Sequence, residues 1–296
     1  MVSPDGVLVV DKPTGWTSHD VIARVRRLAG TRKVGHAGTL DPLATGVLVV
    51  GIGRATRLLG HLTLTDKGYE ATVRLGQSTT TDDAQGDVTA ARDAAHLSDA
   101  EIAQAMVAFT GDVQQVPAAV SAIKVDGQRA YARVRAGNDV ALAPRPIHVS
   151  VFEIRQVRRL RALVDLDVVV RCSSGTYVRA LARDLGTSLG VGGHLTSLHR
   201  THVGPFTSAR ANSLDDLAAV PAGDLPVMPL DEVAPLCFAT RTLDHELAEA
   251  VRNGRRVALD LEPPGPVALV TQQGEFLALY RQDGATARAV AVLAPS

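Results

Sequence analysis

The sequence has little sulfur. Two cysteines, Cys172 and Cys237, stand far apart in 296 residues, and they form no CxxC pair. This excludes a disulfide framework and a cysteine zinc cluster, and it fits a reducing cytoplasm. Long apolar runs are absent. The longest, Thr45 to Gly53, is about ten residues, too short to span a bilayer. The start, Met1-Val2-Ser3-Pro4-Asp5, has neither a basic n-region nor an apolar h-region, so no secretory signal is expected. Net charge is absent too: 31 basic residues balance 31 acidic ones. That excludes a uniformly basic nucleic-acid coat but leaves room for a local basic patch. No GxxxxGK[ST], GxSxG or HExxH occurs, and the histidines do not pair with the cysteines at zinc spacing, so the common phosphate-loop, hydrolase and zinc signatures are missing.

What is present is an apolar fraction of 46%, enough for a packed core and too much for a disordered chain. The length suggests two domains, or one large and one small. Charge is segregated along the chain: residues 12–61 and 124–210 are net basic, 66–116 net acidic, and the stretch from 235 onward close to neutral. Basic groups are nearly all arginine, whose planar fork suits phosphate.

Periodicity supplies a coarse outline. Gly6 to Val10 reads as a buried strand. Thr17 or Ser18 caps a helix carrying Val21, Ile22, Val25 and Leu28 on one face, with Gly30 ending it. Gly35 to Gly46 is a loop dense in small and breaking residues that empties into a strand, Val47 to Val50. Tyr69, Ala71, Val73 and Leu75 alternate with polar residues, the mark of a half-buried strand. Ser98-x-x-Glu101 is a capping box. Residues 117–146 lack periodicity and read as an excursion from the core. Strands follow at Val149 to Ile154 and Val164 to Arg171, then a helix over Thr176 to Leu185 capped by Ser174 or Thr176 and stopped by Gly186. A Pro-rich joint, Pro221 to Pro235, precedes a helix over Thr242 to Asn253 and strands near 266–271, 275–281 and 287–293. Asp82, Asp83 and Asp87 faintly echo a calcium loop, but the terminal Glu is missing and a turn is the better reading.

Within the Gly35–Gly46 loop, Pro42 drives Asp41 toward an extended conformation. A carboxylate is thereby held in mid-loop between a basic segment and an apolar strand. Gly35-His36-Ala37-Gly38-Thr39-Leu40-Asp41-Pro42-Leu43-Ala44-Thr45-Gly46-Val47-Leu48 resembles the catalytic motif of the TruB family of tRNA pseudouridine synthases. Asp11-Lys12-Pro13-Thr14-Gly15-Trp16-Thr17-Ser18 resembles that family's N-terminal motif, and Lys67-Gly68-Tyr69-Glu70 its active-site tyrosine strand. Gln115-Val116-Pro117, Ser121-Ala122-Ile123-Lys124 and Gly127-Gln128-Arg129-Ala130-Tyr131 resemble its RNA-gripping insertion. Cys172-Ser173-Ser174-Gly175-Thr176-Tyr177-Val178-Arg179 resembles a second active-site motif, and Leu198-His199-Arg200-Thr201 with Val203-Gly204-Pro205-Phe206 the closing one.

The resemblance implies an α+β chain: a pseudouridine synthase fold with a central mixed or antiparallel sheet flanked by helices over 1–230, an RNA-gripping insertion at about 117–146, and a small PUA-like domain over 235–296. It implies an isomerase that turns uridine 55 in the TΨC arm of tRNA into pseudouridine by base flipping, with no metal and no other cofactor. Asp41 is the essential carboxylate. Arg179 is its partner, a nearby guanidinium favouring the ionised form. Tyr69 stacks on the uracil, Leu198 lines the base pocket, and His36 fills the space that the flipped base leaves. Lys12, Lys124, Arg129, Tyr131, Tyr177 and Arg200 are implied RNA contacts, with bracing of the loop as the other reading for Lys12 and Tyr177. A cytoplasmic monomer with tRNA as partner and no membrane association is expected. Two further readings stand beside this one. A non-catalytic tRNA-binding or folding module of the same fold is disfavoured by intact Asp41, Tyr69 and Arg179. A glycoside hydrolase using Asp41 with Asp184 is disfavoured by the basic flanks.

Overall fold

Apolar residues that alternate along extended segments set the scaffold, and the computed structural model describes it over residues 5–118, 124–125, 128–129, 142–221, 223–262 and 265–294. The strands are β1 Gly6–Lys12, β2 Val34–Ala37, β3 Thr45–Ile52, β4 Lys67–Leu75, β5 Gln77–Thr79, β6 Val88–Ala91, β7 Gly111–Gln115, β8 Lys124–Val125, β9 Gln128–Arg129, β10 Arg145–Leu160, β11 Leu163–Cys172, β12 Gly193–Val203, β13 Phe206–Thr207, β14 Met228–Pro229, β15 Ala239–Thr242, β16 Val267–Val270, β17 Phe276–Asp283 and β18 Thr286–Val292. The helices are α1 Ser18–Leu28, α2 Leu59–Leu62, α3 Asp99–Val107, α4 Val178–Ser188, α5 Leu214–Ala219, α6 Leu230–Cys237 and α7 His245–Arg252. The chain is α+β, as expected, and falls into two compact units.

The first unit comprises residues 1–42, 46–64 and 203–296. Here β1 lies antiparallel between β14 and β3, and β2 pairs with the other edge of β3. Thr17 caps α1 through a full capping box with Asp20, and Val21, Ile22 and Val25 pack on Leu8, Val10, Leu48 and Val50. The opposite face of the sheet buries Val7, Val9, Val47 and Val49 against Phe276, Leu279 and Leu293. Phe276 and Leu279 belong to the second sheet of this unit, β15-β16-β17-β18, and Leu293 directly follows its last strand; β15 runs parallel to β16 and the other pairs are antiparallel.

The second unit comprises residues 43–45 and 65–202. Its sheet runs β12-β4-β11-β10-β7, with long antiparallel β4–β11 and β10–β11 ladders. The β5–β6 pair closes a hairpin loop over 80–87. Helix α4 packs on β4.

Several expectations change. The Gly35–Gly46 stretch is not all loop: its first residues form β2, because His36 and Ala37 find backbone partners in Val50 and Val49. Neither Ser174 nor Thr176 caps α4. Tyr177 is its N-cap without a side-chain bond, and Thr176 donates to the Ser173 carbonyl. Gly186 does not end α4 either. A Cβ there would sit 2.2 Å from the Gly192 carbonyl carbon, so the glycine permits a close approach rather than a stop. The Pro221–Pro235 joint contains α6, which plants Val233 and Ala234 in the core. The helix expected over Thr242 to Asn253 is present as α7 and only its start moves, because Asp244 caps it through the Leu247 amide and Thr242 ends strand β15. The segment from 235 carries its own sheet but shares a core with β1 and β3. Arg54 ties the two further, bonding Asp5 at 2.6 Å through its amide and the Leu293 carbonyl through its guanidinium.

Because the first unit has this joint core, Phe276→Ala should lower the same unfolding transition that Val9→Ala lowers, by roughly 3–5 kcal/mol for the Phe truncation. Denaturant titrations followed by circular dichroism check this; a separate early transition for the C-terminal segment would refute it.

Candidate active site

In the first unit the loop carrying Asp41 is clamped on both sides of the carboxylate. The buried Ser18 hydroxyl accepts the Leu40 amide at 2.9 Å and donates to the Leu40 carbonyl at 3.0 Å. One side chain at the start of α1 thus satisfies both backbone groups of the residue before Asp41, as burial requires. On the other side the Pro42 carbonyl accepts the Gly15 amide at 2.8 Å and the Lys12 ammonium at 3.4 Å. Lys12 also donates to Trp16 O at 2.6 Å and Pro13 O at 2.9 Å. Gly38 and Gly46 bracket the turn at φ +91° and +95°, backbone that other residues adopt only under strain. Asp41 itself is half-buried. His36, also half-buried, meets the His19 ring edge-on with centroids 5.9 Å apart.

In the second unit Tyr69 lies opposite Val170 on the buried side of β4, and Leu198 is buried on β12. Arg179 occupies the first turn of α4, as expected, and is 4% exposed. It donates to Thr81 O at 2.8 Å, with its Nε 3.6 Å from Asp83 Oδ2. Sequence reasoning missed this acidic cradle. Asp83, read as part of a surface turn, is buried and accepts from Thr81 Oγ1 and the Gln85 amide. Asp82 meets Arg183 at 3.2 Å. Burial pushes the Asp82 carboxyl above its usual range, against the pull of Arg183 and Arg179. The signal available was Thr79-Thr80-Thr81-Asp82-Asp83 running into Gly86, hydroxyls and carboxylates able to satisfy a tight loop from within.

Two residues implied as RNA contacts are buried. Lys12 and Arg200 are 0% and 1% exposed, so neither side chain is presented to a phosphate in solvent. Lys12 is the brace of the Asp41 loop. Arg200 is a buried cation near Lys67. Tyr177 is half-buried, and the Gln115 side chain clamps its backbone by accepting its amide at 2.8 Å and donating to its carbonyl at 3.1 Å. Lys124 and Arg129 face each other in the short β8–β9 ladder. Tyr131 lies outside the described residues. An open groove of about 720 Å³ crosses β12, β4 and β11 beside Glu70, Thr72, Ser197 and His199. Those side chains alternate with Tyr69 and Leu198 and so belong to the other face of the sheet.

The chain matches three family models: the N-terminal domain of TruB family pseudouridylate synthases over residues 26–178, the tRNA pseudouridylate synthase B C-terminal domain over 179–232, and the C-terminal region of tRNA pseudouridine synthase II over 238–294. The chain belongs to the TruB family. Among TruB relatives, the tRNA pseudouridine synthase B of Nocardia farcinica is 57% identical, over 98% of this chain and 94% of its own length. That of Cutibacterium acnes is 58% identical, over 97% and 98%. The crystal structure of a Cbf5-Nop10-Gar1 complex is similar at a TM-score of 0.74 and 26% identity, covering 98% of this chain and 85% of that one. The structure of an H/ACA RNP bound to a substrate RNA containing 2′-deoxyuridine gives a TM-score of 0.72 and 25% identity, over 98% and 85%. This TruB chain therefore has the pseudouridine synthase fold. Among the described residues no helix is long and apolar enough to cross a membrane.

Two outcomes follow from this TruB site. Ser18→Ala strands the Leu40 amide and carbonyl and should cost about 1–3 kcal/mol; hydrogen exchange at the Leu40 amide should accelerate, and unchanged protection would refute the clamp. Burial, with Arg200 adding repulsion, lowers the Lys67 ammonium from 10.5 to about 8 against the opposing pull of Cys172 and Asp66. Below about 8 both folded and unfolded chains hold the proton. Between there and 10.5 the unfolded chain binds more, so Lys67 makes stability rise with pH across that window. The Cys172 thiol, pushed up to about 11 by burial, acts oppositely above 9. The difference between wild type and Lys67→Met isolates the lysine: in urea titrations from about pH 7.5 to 10 it should shift in favour of wild type, and a flat difference would overturn the assignment.

Proposed function

We propose that this chain isomerises uridine to pseudouridine in tRNA at position 55 of the TΨC loop, with Asp41 as the essential carboxylate. Membership of the TruB family and relatives named tRNA pseudouridine synthase B over nearly the whole chain support the isomerase reading. The observation that carries the residue assignment is the clamp: Leu40 and Pro42 are held by Ser18, Gly15 and Lys12, so the residue between them projects from a fixed backbone. A side chain that does chemistry gains from such pre-organisation.

The reaction breaks the N1–C1′ bond, turns the base, forms the C5–C1′ bond and releases the C5 proton to solvent, with a proton returned to N1. Three routes fit an acting carboxylate: attack at C1′, attack at C6, or elimination to a glycal. The base first leaves its stack. Tyr69 stacks on the uracil, Leu198 packs beside it, and His36 occupies the vacated space. Arg179 orients Asp41, and a guanidinium anchored by Thr81 and Asp83 has one orientation to offer. Lys124, Arg129, Tyr131 and Tyr177 grip the T arm. The protein acts as a monomer in the cytoplasm; a net charge of zero with basic segments suits transient capture of RNA.

Asp41→Asn keeps the shape and removes the ionised oxygen. Tritium release from tRNA labelled at uridine C5 should fall at least about 100-fold, while tRNA affinity stays within about threefold. Turnover near wild type would remove Asp41 from the chemistry, whereas no release by the wild-type protein itself would favour the non-catalytic binding reading.

A further inference from the structure

Arg183 lies one turn beyond Arg179 on α4 and reaches two other segments as well as its own helix. Its Nη1 is 3.2 Å from Asp82 Oδ2 in the 80–87 loop, its Nη2 donates to Val116 O at 2.7 Å just after β7, and its Nε donates to Asp184 Oδ1 at 2.8 Å. Asp82 is one of two non-glycine residues at positive φ among those described, at +60°. An L side chain meets the backbone there, and although aspartate bears this better than most residues, the conformation is held against a cost. Its carbonyl accepts the Leu195 amide at 3.0 Å, and its carboxylate faces Arg183.

The torsion φ of Asp82 turns about the bond next to the Thr81–Asp82 peptide. The oxygen of that peptide is Thr81 O, which accepts from Arg179 at 2.8 Å. If Asp82 relaxed to negative φ, the peptide plane would rotate and Thr81 O would swing away from the Arg179 guanidinium. We propose that Arg183 is a positioning residue for Arg179, holding Asp82 in its left-handed conformation and so aiming the Thr81 carbonyl that orients the Arg179 fork. The inference rests on the reading that Arg179 belongs to the reaction site. Arginine suits the post because three acceptors lying in different directions need a planar fork with a third donor at Nε; lysine offers one point of charge. The tie to Val116 links the same guanidinium to the point where the chain enters the insertion.

The test is the single-turnover rate at saturating enzyme, with tRNA affinity measured alongside. Arg183→Ala should slow turnover about tenfold with affinity within about threefold, and Arg183→Lys should lose nearly as much, because only misorientation is introduced. The decisive readout is at residue 82. Asp82→Ala loses the carboxylate and disfavours positive φ, so it should match Arg183→Ala; Asp82→Gly adopts +60° freely and should recover to within about threefold of wild type. In the Asp82→Gly background, Arg183→Ala should add no more than about twofold. This set works even if Arg183→Ala itself folds poorly. Equal rates for Asp82→Gly and Asp82→Ala, a wild-type rate for Arg183→Ala, or a loss confined to affinity would overturn the positioning role. Arg179→Ala separates the two layers. Full turnover in that variant overturns the site reading beneath the proposal, whereas loss there without loss in Arg183→Ala overturns the positioning role alone.

Discussion

A single hydroxyl fixes the most consequential peptide in the molecule. Ser18 both donates to and accepts from Leu40, and the Lys12 ammonium and Gly15 amide converge on Pro42. Asp41 sits between these two clamps. Loops owe their usual mobility to backbone groups that bond water instead of protein. Here the bonds are internal and buried, so a stretch of Gly, Thr and Pro that reads as loose is held as firmly as a strand. The helix dependence is direct: the capping box of Thr17 and Asp20 sets where α1 begins and therefore where Ser18 points.

The second unit solves a different problem, the burial of cations. Arg179, Arg200 and Lys67 are all almost out of solvent. Burying charge without compensation is costly. For Arg179 the structure supplies a carbonyl and a buried carboxylate from a hairpin loop stitched internally by Thr79, Thr81 and the Gln85 amide. For Lys67 the cost shows in its lowered proton affinity beside Arg200. A rigid, partly desolvated arginine is an effective orienting group because it neither loses its proton nor wanders.

Much of this was legible in the sequence. Periodicity located β1, α1, β4, α3 and the β10–β11 hairpin, since each buries one face and alternates or repeats accordingly. The motif order singled out Asp41, Tyr69, Arg179 and Leu198, and Tyr69 and Arg179 lie on the strand and in the helix turn expected for them. What stayed hidden were partners supplied by distant chain. Nothing in Lys12 or Arg200 announces full burial, because a basic residue beside an RNA-type motif reads as a phosphate contact; for Lys12 the carbonyls of Pro13, Trp16 and Pro42 take that place. Asp82 and Asp83 read as a turn, since their arginines lie about a hundred positions away. Gly186 read as a helix stop, because glycine marks both an end and a close contact and sequence does not distinguish them. The Pro-rich joint misled in the same way: Pro235 sits inside α6 while Val233 and Ala234 anchor that helix in the core.

The shared core of the first unit has a consequence for biosynthesis. Val7, Val9, Val47 and Val49 bury one face against Phe276, Leu279 and Leu293, residues that leave the ribosome more than two hundred positions later. The unit over residues 65–202 can close while translation continues, as contiguous domains do. The sheet beside the Asp41 loop cannot; until the last strands emerge, its apolar face is open to solvent and to wrong partners. The nascent chain thus carries a finished Arg179 cradle and an unfinished carboxylate loop.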